Sequence, residues 1–137
     1  MHFEYKIKGG DFANAGNASS QVKKILKQLN VDHLLIKRVV VSLYEAEVNI
    51  VAHALEGIIK VDIDAEKIIL RLEDKGPGIP DIPLAMKEGY STASPEVRAM
   101  GFGAGMGLSN IKKNADKFNI TSKVEVGTQL EIIIYFK

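Results

Sequence analysis

The chain has 137 residues, 46% hydrophobic and 26% charged, which fits one globular domain over 1–137 and excludes a disordered or fibrous protein. The formal net charge of +1 is too small for non-specific binding to a polyphosphate, so no direct contact with nucleic acid is expected. Cysteine is absent, which excludes disulfides, thiolate metal sites and a cysteine nucleophile.

The first predicted element is a strand in which Phe3, Tyr5 and Ile7 alternate with charged residues. This N-terminus has no apolar signal core, and no later apolar run approaches the ~20 residues of a membrane span. We therefore expect a cytoplasmic protein without a membrane partner.

Two helices are predicted next. The first begins at Ser19 or Ser20 and ends at Asn30, and the second follows an N-cap at Asp32 and ends before Gly57. Apolar residues at a seven-residue spacing predict one core-facing stripe on the second helix, formed by Leu34, Val41, Val48 and Leu55 with Tyr44 and Val51 beside them.

The remaining elements are a hairpin, a glycine-rich segment, a helix and a second hairpin. Alternating residues predict strands on both sides of the turn at 64–66 and on both sides of Gly127. Seven of the 12 glycines and all four prolines lie between Asp74 and Gly107, so little regular structure is expected there. A long segment of this kind inside a domain is usually functional.

The order of these elements predicts the fold class. Strand, helix, helix, hairpin, loop, helix and hairpin favour an α+β two-layer sandwich, with a mixed sheet on one side and three main helices on the other. The glycine-rich segment is expected to cover a ligand where the layers meet.

The first candidate site lies on the second helix, where Glu45 and Asn49 are four residues apart and share a face. Glu47 is rotated by roughly 200° from Glu45 and is predicted to point away from this pair. A carboxylate and a carboxamide would therefore project together at the edge of the core. The alternative interpretation is an ordinary solvated pair on a helix surface.

The second candidate site is Asp74 with Gly76 and Gly78, directly after a predicted strand. The glycines would let the backbone bend close to a planar ligand, whose exocyclic amine the carboxylate could bind. The same residue types also form plain turns, so this segment alone leaves both interpretations open.

The third candidate site is the run of alternate glycines at 101–107, which ends where a helix begins. Backbone N–H groups in such a run can approach a phosphate, and the helix N-terminus adds partial positive charge. Neither the dinucleotide fingerprint nor the P-loop pattern is present. A flexible hinge is the alternative.

Together the three segments resemble the N, G1 and G2 boxes of the GHKL ATPase superfamily, in the same order. The N box matches Glu45 and Asn49, and the G1 box matches Asp74 and its two following glycines. The G2 box matches Gly103, Gly105, Gly107 and Leu108, and Gly127-Thr128 resembles the Gly-Thr pair before the last strand of the family.

The short chain is similar to the stand-alone anti-sigma-factor serine kinases of that superfamily, and the stretch 89–103 resembles their nucleotide lid. The resemblance implies an ATP-dependent protein serine kinase that phosphorylates a STAS-domain antagonist in partner switching. It also implies a sigma factor as a second partner, and it is compatible with a homodimer.

The resemblance implies a role for each matched polar residue. Asn49 would bind Mg²⁺ through its side-chain oxygen, and Glu45 would be the general base for the incoming serine hydroxyl. Asp74 would accept a hydrogen bond from the adenine amino group, with support from Thr128.

The matched loop residues would bind ATP through their backbone or a cationic side chain. Gly76 and Gly78 would lie beside the base, and the G2 glycines would surround the phosphates with Leu108 behind them. Arg98 in the lid would meet the γ-phosphate.

Two other functions are compatible with these residues. The chain could be an ATP-binding regulator that does not turn over, because a carboxylate such as Glu45 can persist in an inactive protein. A metabolic kinase with a small acceptor is the third class, although the chain has no evident second segment to build a substrate pocket.

Overall fold

The computed structural model describes residues 1–87 and 107–136. Its strands are β1 His2–Lys8, β2 Glu56–Ile63, β3 Lys67–Lys75, β4 Lys117–Lys123 and β5 Gly127–Tyr135. Its helices are α1 Asn17–Gln28, α2 His33–His53, the single turn α3 Ile82–Ala85 and α4 Gly107–Asn114. A short 3₁₀ turn, Phe12–Asn14, precedes α1.

The five strands form one sheet in the order β1-β2-β3-β5-β4. Every pairing among the described strands is antiparallel, so the predicted α+β class is confirmed but the expected mixed sheet is wrong. The reason is that β2–β3 and β4–β5 are joined by short turns, while α1 and α2 together return the chain from β1 to the antiparallel β2.

The core lies between one face of this sheet and the helices. Alternate strand residues point into it, and several are completely buried: Ile59, Val61, Ile68, Leu70, Ile132 and Ile134. Helix residues Val22, Leu26, Val39, Leu43 and Ile111 cover them from the other layer.

The opposite face of the sheet carries a chain of polar contacts across all five strands. His2 Nδ1 lies 2.7 Å from Asp62 Oδ1, and Arg71 donates to Asp62 and Glu131 at 3.4 and 3.1 Å. Asn119 donates to the second oxygen of Glu131 at 3.5 Å. This face is therefore exposed to solvent among the described residues, and α1, α2 and α4 lie against the other face.

Helix α2 is the central helix and packs against both α1 and α4. Its core-facing residues are Ile36, Val39, Leu43, Ala46 and Ile50. The predicted stripe is wrong for three residues, since the side chains of Leu34, Tyr44 and Leu55 are 61%, 37% and 79% exposed.

The error has a physical cause, because two apolar sets with the same spacing run along α2. The set that faces both the sheet and the neighbouring helices is buried throughout. Of the predicted stripe, Val48 and Val51 are buried but Leu34 and Tyr44 are exposed. The helix also ends at His53, so Leu55 lies beyond it. No helix in the described parts of the chain has the length and apolar character needed to cross a bilayer.

Candidate functional site

Glu45 and Asn49 project from α2 toward the start of α4, as their shared helical face predicts. A Cβ atom added to Gly107 would lie 3.3 Å from both terminal atoms of the Asn49 carboxamide and 3.4 Å from Glu45 Oε2. The absence of a side chain at Gly107 therefore leaves the carboxylate and the carboxamide open beside the backbone at the start of α4.

Asn110, which was not among the predicted site residues, joins this group from the first turn of α4. Its Nδ2 donates to Glu45 Oε1 at 3.3 Å. Asn114 Nδ2 in turn donates to the Asn110 carbonyl oxygen at 2.8 Å, one turn further along. Gly107 and Asn110 are three residues apart and therefore lie on the same face of α4. That this face lies toward α2 is evident only from the packing of the two helices.

Helix α4 is also attached to α2 at its far end. Arg38 Nε donates to the Asn114 carbonyl oxygen at 2.9 Å, and Arg38 Nη2 lies 3.1 Å from Asp116 Oδ1. Asp116 Oδ2 accepts a hydrogen bond from the Tyr135 amide at 2.8 Å. These contacts fix the position of α4 against α2 and β5.

Asp74 lies at the end of β3 and is half-buried. Its Oδ1 accepts a hydrogen bond from the Thr128 backbone N–H at 3.1 Å, so Thr128 contacts it through the main chain. Burial raises the pKa of the Asp74 carboxyl, and the hydrogen bond from Thr128 opposes that shift. The carboxyl group is thus oriented by β5 and only partly hydrated.

The hydroxyl of Ser122, on β4, lies beside the hydroxyl of Thr128. Ser122 Oγ accepts from the Ile79 amide at 2.7 Å, donates to the Gly127 carbonyl oxygen at 3.1 Å and lies 2.9 Å from Thr128 Oγ1. Ser122 was not predicted as a site residue. Its sequence does carry one indication, because the other inward-facing residues of β4, Phe118 and Ile120, are apolar.

Two glycines allow the strands and loop around Asp74 to approach each other. A Cβ on Gly127 would overlap the Asp74 carbonyl oxygen, and one on Gly78 would overlap the Lys123 carbonyl oxygen. Gly78 also has a φ of +73°, which disfavours any side chain there. Gly76 is held differently, since its N–H donates to the Val126 carbonyl oxygen at 3.3 Å.

Glu47 points away from Glu45, as expected, but it is fully buried against α1. Its Oε2 accepts from the amides of Gly16 and Ala18 at 3.0 and 3.2 Å, and its Oε1 accepts from the amide and hydroxyl of Ser19 at 3.1 and 2.7 Å. It therefore caps the N-terminus of α1 from outside that helix.

The other predicted residues fall into two groups. Leu108 is 8% exposed and belongs to the core. Arg98, Gly103 and Gly105, with the whole of the predicted lid at 89–103, lie outside the described residues.

The chain is similar to several known proteins. The model of the histidine kinase-, DNA gyrase B- and HSP90-like ATPase family matches residues 33–137. The serine/threonine-protein kinase RsbT of Bacillus subtilis is 29% identical over 119 residues, which is 84% of each chain. An anti-sigma F factor of Clostridium kluyveri is 32% identical over 124 residues, which is 85% of this chain and 82% of the relative.

The fold is similar to the solved structure of the mycobacterial sensor histidine kinase MprB, with a TM-score of 0.55. The superposition covers 98% of this chain and 97% of the MprB chain. Its sequence identity is 15%, so this likeness supports the fold alone.

Proposed function

The chain belongs to the histidine kinase-, DNA gyrase B- and HSP90-like ATPase family, and from that premise we propose that it is an ATP-dependent serine/threonine protein kinase and anti-sigma regulatory factor. Its substrate in this proposal is a serine of a STAS-domain antagonist, and a sigma factor is the alternative partner. The names of the kinase and anti-sigma relatives support the proposal. We place the protein in the cytoplasm, without direct nucleic-acid binding and compatible with a homodimer.

The observation that carries the proposal is the convergence of Glu45 and Asn49 on Gly107. A protein that only binds ATP needs backbone N–H groups and a metal ligand near the phosphates. It does not need a carboxylate beside that metal ligand. Here Glu45 Oε2 and the Asn49 carboxamide border one small space at the start of α4.

The residues fit a magnesium complex of ATP. The Asn49 oxygen is a hard donor, and the backbone at the start of α4 supplies partial positive charge beside it. Mg²⁺ bound there would neutralise charge on the ATP phosphates. In this proposal Gly107, together with Gly103 and Gly105, surrounds the phosphates, and Arg98 meets the γ-phosphate.

Asp74 would bind the adenine amino group. The Thr128 amide holds one of its oxygens at 3.1 Å, which leaves the other oxygen for the exocyclic amine. The turn containing Gly76 and Gly78 would lie beside the base. Partial burial of the carboxyl strengthens such a hydrogen bond because water competes less for it.

Glu45 would take the proton from the serine hydroxyl as that oxygen attacks the γ-phosphate. Asn110 would hold the carboxylate through its bond to Oε1, which leaves Oε2 toward Gly107. The serine oxygen then becomes the phosphoester oxygen, and ADP leaves.

The test is transfer of labelled γ-phosphate from ATP to purified STAS-domain proteins encoded near this chain, with phosphoserine located by mass spectrometry. We expect Mg²⁺-dependent labelling of one serine, and loss of the label when that serine is replaced by alanine. Tight ATP binding without transfer to any of them would favour the regulator that does not turn over.

A further inference from the structure

We infer that the groove between α1 and α2 binds an acidic, amphipathic helical segment of a partner protein. The groove has a volume of about 630 Å³ and lies beside the C-terminal half of α1 and the N-terminal half of α2. It is on the flank of α2 that faces α1, whereas Glu45 and Asn110 lie on the flank that faces α4. The inference is therefore independent of the proposed kinase activity.

The charges of the groove select an acidic occupant. Lys23, Lys27 and Lys37 line it, and none of them pairs with a carboxylate among the described residues. Asp32 is the one acidic residue of the lining and lies 3.6 Å from His33. Three exposed ammonium groups against one carboxylate give a surface complementary to negative charge.

The apolar part of the groove selects a protein helix. Val31, Ile36, Val40 and Val41 form part of its lining, and among the described lining residues there is no Phe, Tyr or Trp and only the His33 imidazole as a ring for a base to stack on. An apolar stripe on a third helix can pack between two helices by the same ridge-and-groove geometry that packs α1 on α2.

Among the helices that the structure describes, a second copy of this chain offers no acidic amphipathic one. Neither α1 nor α4 contains an Asp or Glu, and each carries lysines. On α2 the acidic residues are Glu45 and Glu47, of which Glu47 is fully buried. The occupant is therefore expected to come from a different protein.

The test uses a synthetic 18-residue helical peptide with leucines at i, i+3, i+4 and i+7 and glutamates on both sides of that stripe. Its matched control has lysines in place of the glutamates. Binding is measured by fluorescence anisotropy at 0.1 and 1 M salt, and the contact surface is mapped by amide chemical shifts on the full chain.

We expect the acidic peptide to bind, to shift amides of α1 and the first half of α2, and to weaken at 1 M salt because the charges are screened. The double variant Lys27→Glu/Lys37→Glu should bind it roughly tenfold more weakly or worse, since two attractions become repulsions. Lys6→Glu/Lys8→Glu, exposed on β1, changes the net charge equally and should bind as wild type does. ATP affinity should be unchanged in both variants.

Several results would overturn the inference. Equal binding of the lysine peptide, or an equal loss in the β1 variant, would mean that the groove does not select its occupant. Displacement of the acidic peptide by an oligonucleotide at the same amides would indicate a nucleic-acid site instead. Self-association of wild type that Lys27→Glu/Lys37→Glu abolishes would indicate an interface between copies.

Discussion

At the scale of single residues, the Glu47 carboxylate accepts four hydrogen bonds, all from residues at the start of α1. Replacing Glu47 by Ala would leave three backbone amides and the Ser19 hydroxyl without their acceptor in a buried place. Each unsatisfied buried donor costs about 1–3 kcal/mol, so we expect a loss of about 3–5 kcal/mol in unfolding free energy after relaxation.

Urea unfolding followed by circular dichroism measures this loss. Glu47→Gln should lose less, because one amide oxygen remains as acceptor. Glu45→Gln is the matched control, since Glu45 is on the same helix and accepts one longer hydrogen bond, from Asn110. Equal stability of Glu47→Ala and wild type would show that α1 is not capped by this carboxylate.

Asp74 differs from Glu47, because the proposed function uses its charge to bind the adenine amino group, whereas its burial makes that charge unfavourable for folding. Burial raises its pKa in the folded state above the ordinary value of 3.8. Its contribution to stability is therefore greatest below the unfolded-state pKa and is lost as pH rises through the folded-state pKa. At neutral pH the buried charge lowers stability.

We accordingly expect Asp74→Asn to be at least as stable as wild type at pH 7, with a difference that disappears below about pH 4. Its Oδ1 can still accept from the Thr128 amide. ATP affinity should fall about ten- to a hundredfold, because the amide presents an NH₂ group where an acceptor is needed. Calorimetric titration with ATP and with GTP checks the affinity, and unchanged ATP binding would remove Asp74 from the site.

At the scale of elements, α2 separates two different surfaces. Toward α4 it presents Glu45 and Asn49, and toward α1 it presents Glu47 and the lysine-lined groove. Helix α4 cannot easily move away from the first surface, because Arg38 holds its far end. The space at Gly107 is therefore set by the packing of two fixed helices.

Gly107→Ala tests that space. Its Cβ would lie 3.3 Å from the Asn49 carboxamide, so that side chain and Glu45 must shift by a few tenths of an ångström. We expect phosphate transfer to fall about tenfold or more, since small displacements of reacting groups are costly. The melting temperature should be unchanged or higher, because alanine favours helix over glycine. The exposed Lys112→Ala on the same helix is the control for both measurements, and full activity of Gly107→Ala would contradict the proposed site.

At the scale of the whole molecule, the sequence predicted the elements and their order well because both signals are local. Alternation located β1 and the two hairpins, and Asp32 correctly marked the residue before α2. The sequence pattern of α2 does not indicate which of its two apolar sets is buried, since that depends on where α1 and the sheet lie. The antiparallel pairing of β3 with β5 is likewise set by tertiary packing.

The candidate site was predictable to the same extent. Glu45, Asn49 and Asp74 could be named from their spacing and neighbours, because motifs of this kind are local in sequence. Asn110 and Ser122 could not, since each contacts the site from an element distant along the chain. The direction of Glu47 was predicted, but its capping of α1 was not, because its four donor groups lie 28 to 31 positions earlier.

The central claim is that Glu45 acts on the chemical step and Asn49 on nucleotide binding. The most direct measurement is the single-turnover rate of phosphate transfer to the STAS partner at saturating Mg²⁺ and ATP, for wild type, Glu45→Gln and Asn49→Ala. We predict that Glu45→Gln keeps wild-type ATP affinity but transfers phosphate about 10²–10⁴-fold more slowly, the usual contribution of a general base. Asn49→Ala should instead lose Mg²⁺-dependent ATP affinity. A wild-type rate in Glu45→Gln at full nucleotide occupancy would contradict the account.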